Sequence, residues 1–196
     1  MLYNPAIHHR RSIRLKGYDY SQSGLYFVTI CCQDMTCRFG EIENGEMILN
    51  DYGKFAHTEW EKLSERYPNV LLDAFQIMPN HIHGIIVLNT VGATLAVALN
   101  NDTIAPIIRA GASPAPTAAA TTTIGNIVGA YKSLVMNKCL NICKIRNEYL
   151  GRFWQRNYYE HIIRNDNSYQ RIADYIISNP AKWETDKFYS EKIKQT

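Results

Sequence analysis

Gly84 to Leu88 reads Gly-Ile-Ile-Val-Leu, an unbroken apolar run set directly behind His81-Ile82-His83. A run this short and this apolar, opened by the turn residues Pro79 and Asn80, fits a strand at the centre of a sheet, where water is excluded along its length. The rest of the chain has to supply flanking strands and covering layers. Leu25 to Cys32 (LYFVTICC) and Val70 to Met78 are rich in β-branched and aromatic residues and read as two of those strands. Arg38 to Glu43 and Glu46 to Leu49 flank Asn44-Gly45, a strong short hairpin signal, because both turn residues tolerate positive φ.

Helical spacing appears in three places. Phe55, Ala56, Trp60 and Leu63 recur on one face between Tyr52 and Tyr67, and Pro68 stops the run. Ile127, Val128, Tyr131, Leu134, Val135 and Leu140 form a second face between Ile124 and about Leu140. Ser168 to Ile177 is a third helix, ended at Asn179-Pro180 because a residue before proline is pushed out of the α region. Phe153 to Ile163 is aromatic and β-prone. The expected fold class is α+β, an antiparallel sheet with helices packed on one face.

From Thr90 to about Thr123 the composition shifts to Ala, Thr, Pro and Gly with almost no charge, so residues 90–123 read as a low-complexity inserted loop. With 196 residues and a basic arm over residues 1–20, one domain spanning 1–196 is expected. The net charge of +3 permits a nucleic-acid partner without demanding one. Five cysteines, an odd number lying in apolar runs, read as reduced thiols rather than a disulfide framework or a zinc site. No signal peptide and no membrane-length apolar run is evident, which makes the cytoplasm the expected compartment and a membrane partner unexpected.

Two constellations carry chemistry. His81 and His83 stand at i and i+2 on a strand, so both rings point to one face, as two ligands of one ion must. The same pair also fits two ordinary polar residues at a strand start. Tyr175 and Asn179 stand at i and i+4 on one helix face. A tyrosine oxygen can attack phosphorus and leave again, keeping the bond energy for rejoining, and a carboxamide oxygen can complete a metal's ligand set without adding charge. Tyr175 could equally pack with Ile172 and Ile176.

Taken together, MPNHIHGIIVL, then YKS, then FWQRNYYEHIIRNDNSYQRIADYIISNPAKW resemble the REP-associated branch of the single-tyrosine HUH transposases, over nearly the whole chain outside residues 90–123. The resemblance implies a ferredoxin-like sheet, Tyr175 as nucleophile, and His81, His83 and Asn179 as ligands of a divalent Mg or Mn ion. Wider relatives carry glutamine where this chain has Asn179. The implied reaction is cleavage and rejoining of single-stranded or hairpin DNA through a 5′-phosphotyrosine, with a free 3′-hydroxyl. Tyrosine's ordinary pKa of about 10 means that the ion or a neighbour must help remove its proton. Asp174 points about 100° away on the helix and is a poor candidate.

Trp154, Gln155, Arg156, His161 and Arg164, with Lys132, make an aromatic and basic set suited to stacking bases and contacting phosphates. Arg10, Arg11 and Arg14 add basic residues in the arm. A non-catalytic regulator that binds hairpin DNA or RNA would use the same surface, and a metal-dependent hydrolase would use the same histidines with water as nucleophile. The family includes both monomers and dimers, so a homodimer is one of the states implied.

Overall fold

The computed structural model describes residues 17–89 and 122–189. The strands are β1 (Gly24–Cys31), β2 (Gly40–Glu43), β3 (Glu46–Leu49), β4 (Val70–Ile77), β5 (His81–Leu88) and β6 (Tyr159–Ile163). The helices are α1 (Asp51–Glu61), α2 (Leu63–Arg66), α3 (Ile124–Arg146) and α4 (Asp166–Ser178). Four strands form one sheet in the order β4-β5-β1-β6, with every neighbouring pair antiparallel. If the β2–β3 hairpin is set aside as an excursion, the chain runs β1-α1-β4-β5-α3-β6. That β-α-β-β-α-β order with this strand arrangement is ferredoxin-like, as expected. The run that ends Gly-Ile-Ile-Val-Leu is an inner strand, and every residue of β5 is buried.

Local chemistry accounts for the elements. Asn44 and Gly45 both have positive φ, 52° and 81°, as a two-residue hairpin turn requires. The Asn50 side chain caps α1 by accepting from the Gly53 amide at 3.0 Å, and Thr123 caps α3 through the Asn126 amide at 3.2 Å. The helix expected over Tyr52–Tyr67 breaks at Lys62 into α1 and the single turn α2. The second helix outruns its apolar stripe, continuing to Arg146 before Asn147 closes it in the left-handed region at φ 56°. Only Tyr159–Ile163 of the β-prone stretch 153–163 is a strand, because Phe153 and Trp154 turn inward against Phe39 instead.

The sheet is covered on both faces, not on one. Tyr26, Val28, Ile30, Ile82 and Ile86 meet α1 and α3 in the larger core. The alternate residues Leu25, Phe27, Ile85 and Val87 meet Ala173 and Ile176 of α4 in a second core. The reason lies in the strands themselves: β1 and β5 are apolar on both sides of the pleat, so a single helical layer would leave one side wet. Trp60 reaches the sheet at Gly84, where an added Cβ would come within 2.3 Å of its ring. The indole stacks on Phe75 at 4.6 Å, locking α1 to β4. Glu59, buried beneath the same helix, is neutralised by Arg66 at 2.8 Å and Lys138 at 2.7 Å. No described helix is long and apolar enough to cross a membrane.

Residues 90–121, and with them most of the low-complexity segment, lie outside the described residues, but the points where the chain leaves and re-enters the fold are close. Leu88 pairs with Gly24, and the Ile124 amide donates to the Tyr20 carbonyl at 3.3 Å. Tyr20 and Gly24 are four positions apart in the chain and lie at most about 14 Å from each other. A short linker can therefore join the two ends. Replacing residues 91–117 with a few glycines and serines is expected to leave the far-UV circular dichroism unchanged and the midpoint of thermal unfolding within a few degrees. A deletion variant that fails to fold would show that the segment belongs to the core.

Candidate functional site

The site forms where β5, β1 and α4 meet on the smaller core's face of the sheet. The two-residue strand period puts His81 and His83 on that face, and Thr29 and Cys31 of β1 lie opposite them in register. Across the sheet, α4 is held at one end by Tyr169, whose hydroxyl donates to both Asp73 oxygens at 3.1 Å. Its N-terminus is capped by Asn165 through the Ser168 amide at 2.9 Å. Ile172, Ala173 and Ile176 face the sheet, and that phase carries Tyr175 and Asn179 to the histidines.

The resulting geometry is compact. His81 Nε2 lies 3.0 Å from His83 Nε2, and the Tyr175 hydroxyl lies 3.1 Å from the same His83 nitrogen. The Tyr175 hydroxyl also donates to Asp186 Oδ2 at 3.0 Å, and Asn179 Nδ2 donates to that same oxygen at 2.9 Å. Asp186 Oδ1 accepts from the Phe188 amide at 2.7 Å. One potential ligand atom from each of His81, His83 and Asp186 lies within 4.8 Å of the others.

Asn80 sets the tautomer of His81. Its Nδ2 donates to the carbonyls of Met35 at 3.2 Å and Phe188 at 2.9 Å, so its Oδ1, 2.8 Å from His81 Nδ1, accepts a proton held there. The Nε2 lone pair of His81 is thereby left facing His83. At His83, Nδ1 lies 2.9 Å from the Thr29 hydroxyl, which can either donate or accept. With its proton on Nε2, His83 bridges to His81. With the proton on Nδ1, both Nε2 lone pairs are turned to one point. The donor set therefore fits a divalent ion: two nitrogens free to ligate, each fixed from behind, with a carboxylate beside them.

Burial sets the electrostatics. Phe27 lies 5.3 Å from the His83 ring and Phe188 4.5 Å from the His81 ring, and both imidazoles are fully enclosed. Desolvation, with the Lys187 charge adding to it, lowers the His81 pKa to about 3. Burial, with His81 beside it, holds His83 well below its ordinary value too. Both rings are thus neutral at physiological pH, the state that binds metal. Desolvation first, and Asp186 second, push the Tyr175 phenol above its usual range. A cavity of about 340 Å³ opens beside this group, lined by Tyr175, Asn179, Lys182, Thr185, Asp186 and Lys187.

The other residues singled out in the sequence divide into two sets. Lys132 donates to the Gln155 and Arg156 carbonyls at 2.7 and 3.3 Å, and Trp154 Nε1 donates to the Lys132 carbonyl at 2.9 Å. The Gln155 amide donates to the Cys31 carbonyl at 3.0 Å. These three side chains or backbones brace the loop before β6. Arg156, His161 and Arg164 are exposed, and His161 pairs with Phe27 on the site's face of the sheet. Arg10, Arg11 and Arg14 lie outside the described residues. Asp174 accepts from Gln170 at the surface, away from the site. Sequence reasoning missed Thr29, Asn80, Asp186 and Lys187.

No protein-family model matches the chain. A Haemophilus influenzae protein, itself uncharacterised, is 43% identical over 188 residues, which covers 95% of this chain and 97% of that one. A second Haemophilus influenzae protein, provisionally named a REP-associated tyrosine transposase, is 28% identical over 165 residues, 84% of this chain and 74% of its own. The fold matches the solved structure of a REP-associated tyrosine transposase bound to a REP hairpin, with a TM-score of 0.52 at 19% identity, covering 89% of this chain and 76% of that one. By its motifs and its sequence relative the chain resembles the REP-associated tyrosine transposases, and it shares the fold of one whose structure is solved.

Proposed function

We propose that the protein is a single-strand DNA endonuclease and strand-transferase acting on hairpin DNA of the REP type, with Tyr175 as its nucleophile. The observation that carries this reading is the Tyr175 hydroxyl, 3.1 Å from a histidine nitrogen that is itself 3.0 Å from a second one. A purely structural tyrosine has no need of two metal-competent imidazoles at its oxygen. Similarity to a relative named as a transposase supports the same reaction class.

In the reaction, the Tyr175 oxygen attacks the scissile phosphorus and its proton passes to the acceptor that it already faces, Asp186 Oδ2. A phosphotyrosine bond to the 5′ side forms, the phosphorus–O3′ bond breaks, and the departing oxygen takes up a proton to become a free 3′-hydroxyl. His81, His83 and a third ligand, assigned from the family pattern to Asn179, would hold a divalent Mg or Mn ion, and the chemistry it would supply is positive charge against that developing on the phosphate oxygens. Reversal by another 3′-hydroxyl rejoins the strand elsewhere, because the phosphoester energy is retained. Arg156, Arg164 and His161, exposed around β6, contact the DNA, and the arm residues Arg10, Arg11 and Arg14 add phosphate contacts.

Incubation with a labelled single-stranded hairpin and Mn²⁺ is expected to give protein covalently attached to a 5′ end. A free 5′-phosphate instead would mean that water attacks, and binding without cleavage would mean a hairpin-binding regulator. Affinity is expected to be higher for single-stranded or hairpin DNA than for plain duplex, and to fall steeply between 50 and 200 mM salt as phosphate contacts release counterions, by about tenfold or more. A flat salt dependence would contradict the basic contacts.

A further inference from the structure

We infer that Lys187 contacts the phosphate under attack, pairing its ammonium with a non-bridging oxygen while Tyr175 adds to the phosphorus. This rests on the DNA-cleaving reading above and adds to it a residue that the reaction has not yet used. Lys187 Nζ lies 4.7 Å from the centre of the Phe188 ring and 6.0 Å from that of Tyr159. Both rings belong to the site. Phe188 covers His81 at 4.5 Å, and Tyr159, the first residue of β6, stands edge-on to Phe27 at 6.2 Å. The ammonium therefore stands over the seam between β6 and the histidines, and its charge reaches both imidazoles, adding to the lowering of each. Lys187 also lines the cavity that holds Tyr175, Asn179 and Asp186.

Among the described residues this charge has no counter-ion. Asp186 is its neighbour in the chain, but that carboxylate is engaged elsewhere: Oδ1 accepts from the Phe188 amide at 2.7 Å, and Oδ2 accepts from Asn179 at 2.9 Å and from Tyr175 at 3.0 Å. An unpaired cation held on two rings beside a nucleophile suits an anion, and the anion that the reaction brings there is the phosphate. The exposed residues Arg156, His161 and Arg164 lie in and beside β6, so a strand that follows them reaches Tyr175 by passing Tyr159 and Lys187. The attacking phenol oxygen brings negative charge to a group that already carries one, so a fixed cation helps most as the bonds change. Lys187 gives up no proton. The bond from the Tyr175 oxygen to phosphorus forms, the phosphorus–O3′ bond breaks, and the ammonium pairs with an oxygen that takes part in neither.

The test is single-turnover cleavage of a labelled hairpin in Mn²⁺ with the full-length protein in saturating excess, beside hairpin affinity measured by titration. Lys187→Met keeps the stem over the rings and removes the charge, and should slow cleavage about a hundredfold while affinity falls by less than about fivefold. Lys187→Arg should recover at least about tenfold of the lost rate. Both variants should keep the wild-type thermal midpoint, since Lys187 is exposed. The same hairpin with a methylphosphonate at the scissile position carries no charge on that group. On it the wild-type protein and Lys187→Met should differ in rate by less than about threefold, because the charge that Lys187 pairs with is gone. A gap of about a hundredfold that persists on the methylphosphonate would place Lys187 against another group, and a variant that loses affinity alone would make it a contact of the bound strand and not of the reaction. Either result overturns the assignment. Wild-type rate in Lys187→Met would overturn it too and leave the cleavage reading standing, whereas a wild-type protein that cleaves no hairpin removes both.

Discussion

Tyr175→Phe is expected to abolish strand cleavage and covalent attachment, a loss of at least about a thousandfold, while hairpin binding stays within a few-fold. The substitution removes one oxygen and no positive charge, so the groups that hold DNA are untouched. The ring itself remains useful to the fold, standing edge-on to Phe27 with centroids 6.4 Å apart and 5.1 Å from the His83 ring. Losing the hydroxyl leaves Asp186 Oδ2 with its Asn179 donor and costs about 1 kcal/mol of stability at most. Activity, not folding, is the quantity that moves. Full cleavage in this variant would place the nucleophile elsewhere, and cleavage without attachment would turn the reaction into hydrolysis.

Much of the site's main axis was legible because it is local. His81 and His83 share a face through the strand period, and Tyr175 and Asn179 share one through the helix period, so sequence spacing alone fixes each pair. The hairpin was legible for the same reason, since Asn44-Gly45 states its own turn. What spacing cannot show is which distant residue stands behind a local pair. Thr29 meets His83 across 54 positions only once β1 and β5 are in register. Asn80 read as a turn residue, and its second role, setting the proton on His81, depends on carbonyls at Met35 and Phe188. Asp186 is an isolated acid beyond Pro180, and no period marks it. The aromatic and basic cluster is a different case: Trp154 and Lys132 have the right types for DNA, and spacing could not show that their hydrogen bonds run to each other and to the loop backbone. The two-sided cover of the sheet, by contrast, was implicit in the apolar run at Gly84–Leu88. A strand with no polar face needs a layer on each side, and the helix that carries Tyr175 is that second layer.

His83→Ala or His81→Ala should remove metal-dependent cleavage, and the loss should be visible without DNA. An ion that binds only the folded protein raises stability by about 2.7 kcal/mol when its concentration is a hundred times its dissociation constant. Mn²⁺ should therefore raise the thermal midpoint of the wild-type protein, and the midpoint of either alanine variant should not respond. The response also has a pH signature. An ordinary exposed histidine pair, with pKa near 6.5, would lose more than about tenfold in metal affinity between pH 8 and pH 6, as protons compete for both nitrogens. Here burial has already lowered His81 to about 3 and taken His83 well below its usual value, so neither ring takes up a proton in that window. Binding then releases no proton from the histidines, and the affinity should be flat from pH 8 to pH 6. The sign is fixed by the direction of the shifts: a lowered folded-state pKa moves the competing protonation to more acid conditions. The same shifts make folding weaker as pH falls below 6.5, where the unfolded chain takes up protons that the folded one refuses. Cleavage that persists in EDTA, or an affinity that drops tenfold by pH 6, would show that these two imidazoles do not hold the ion.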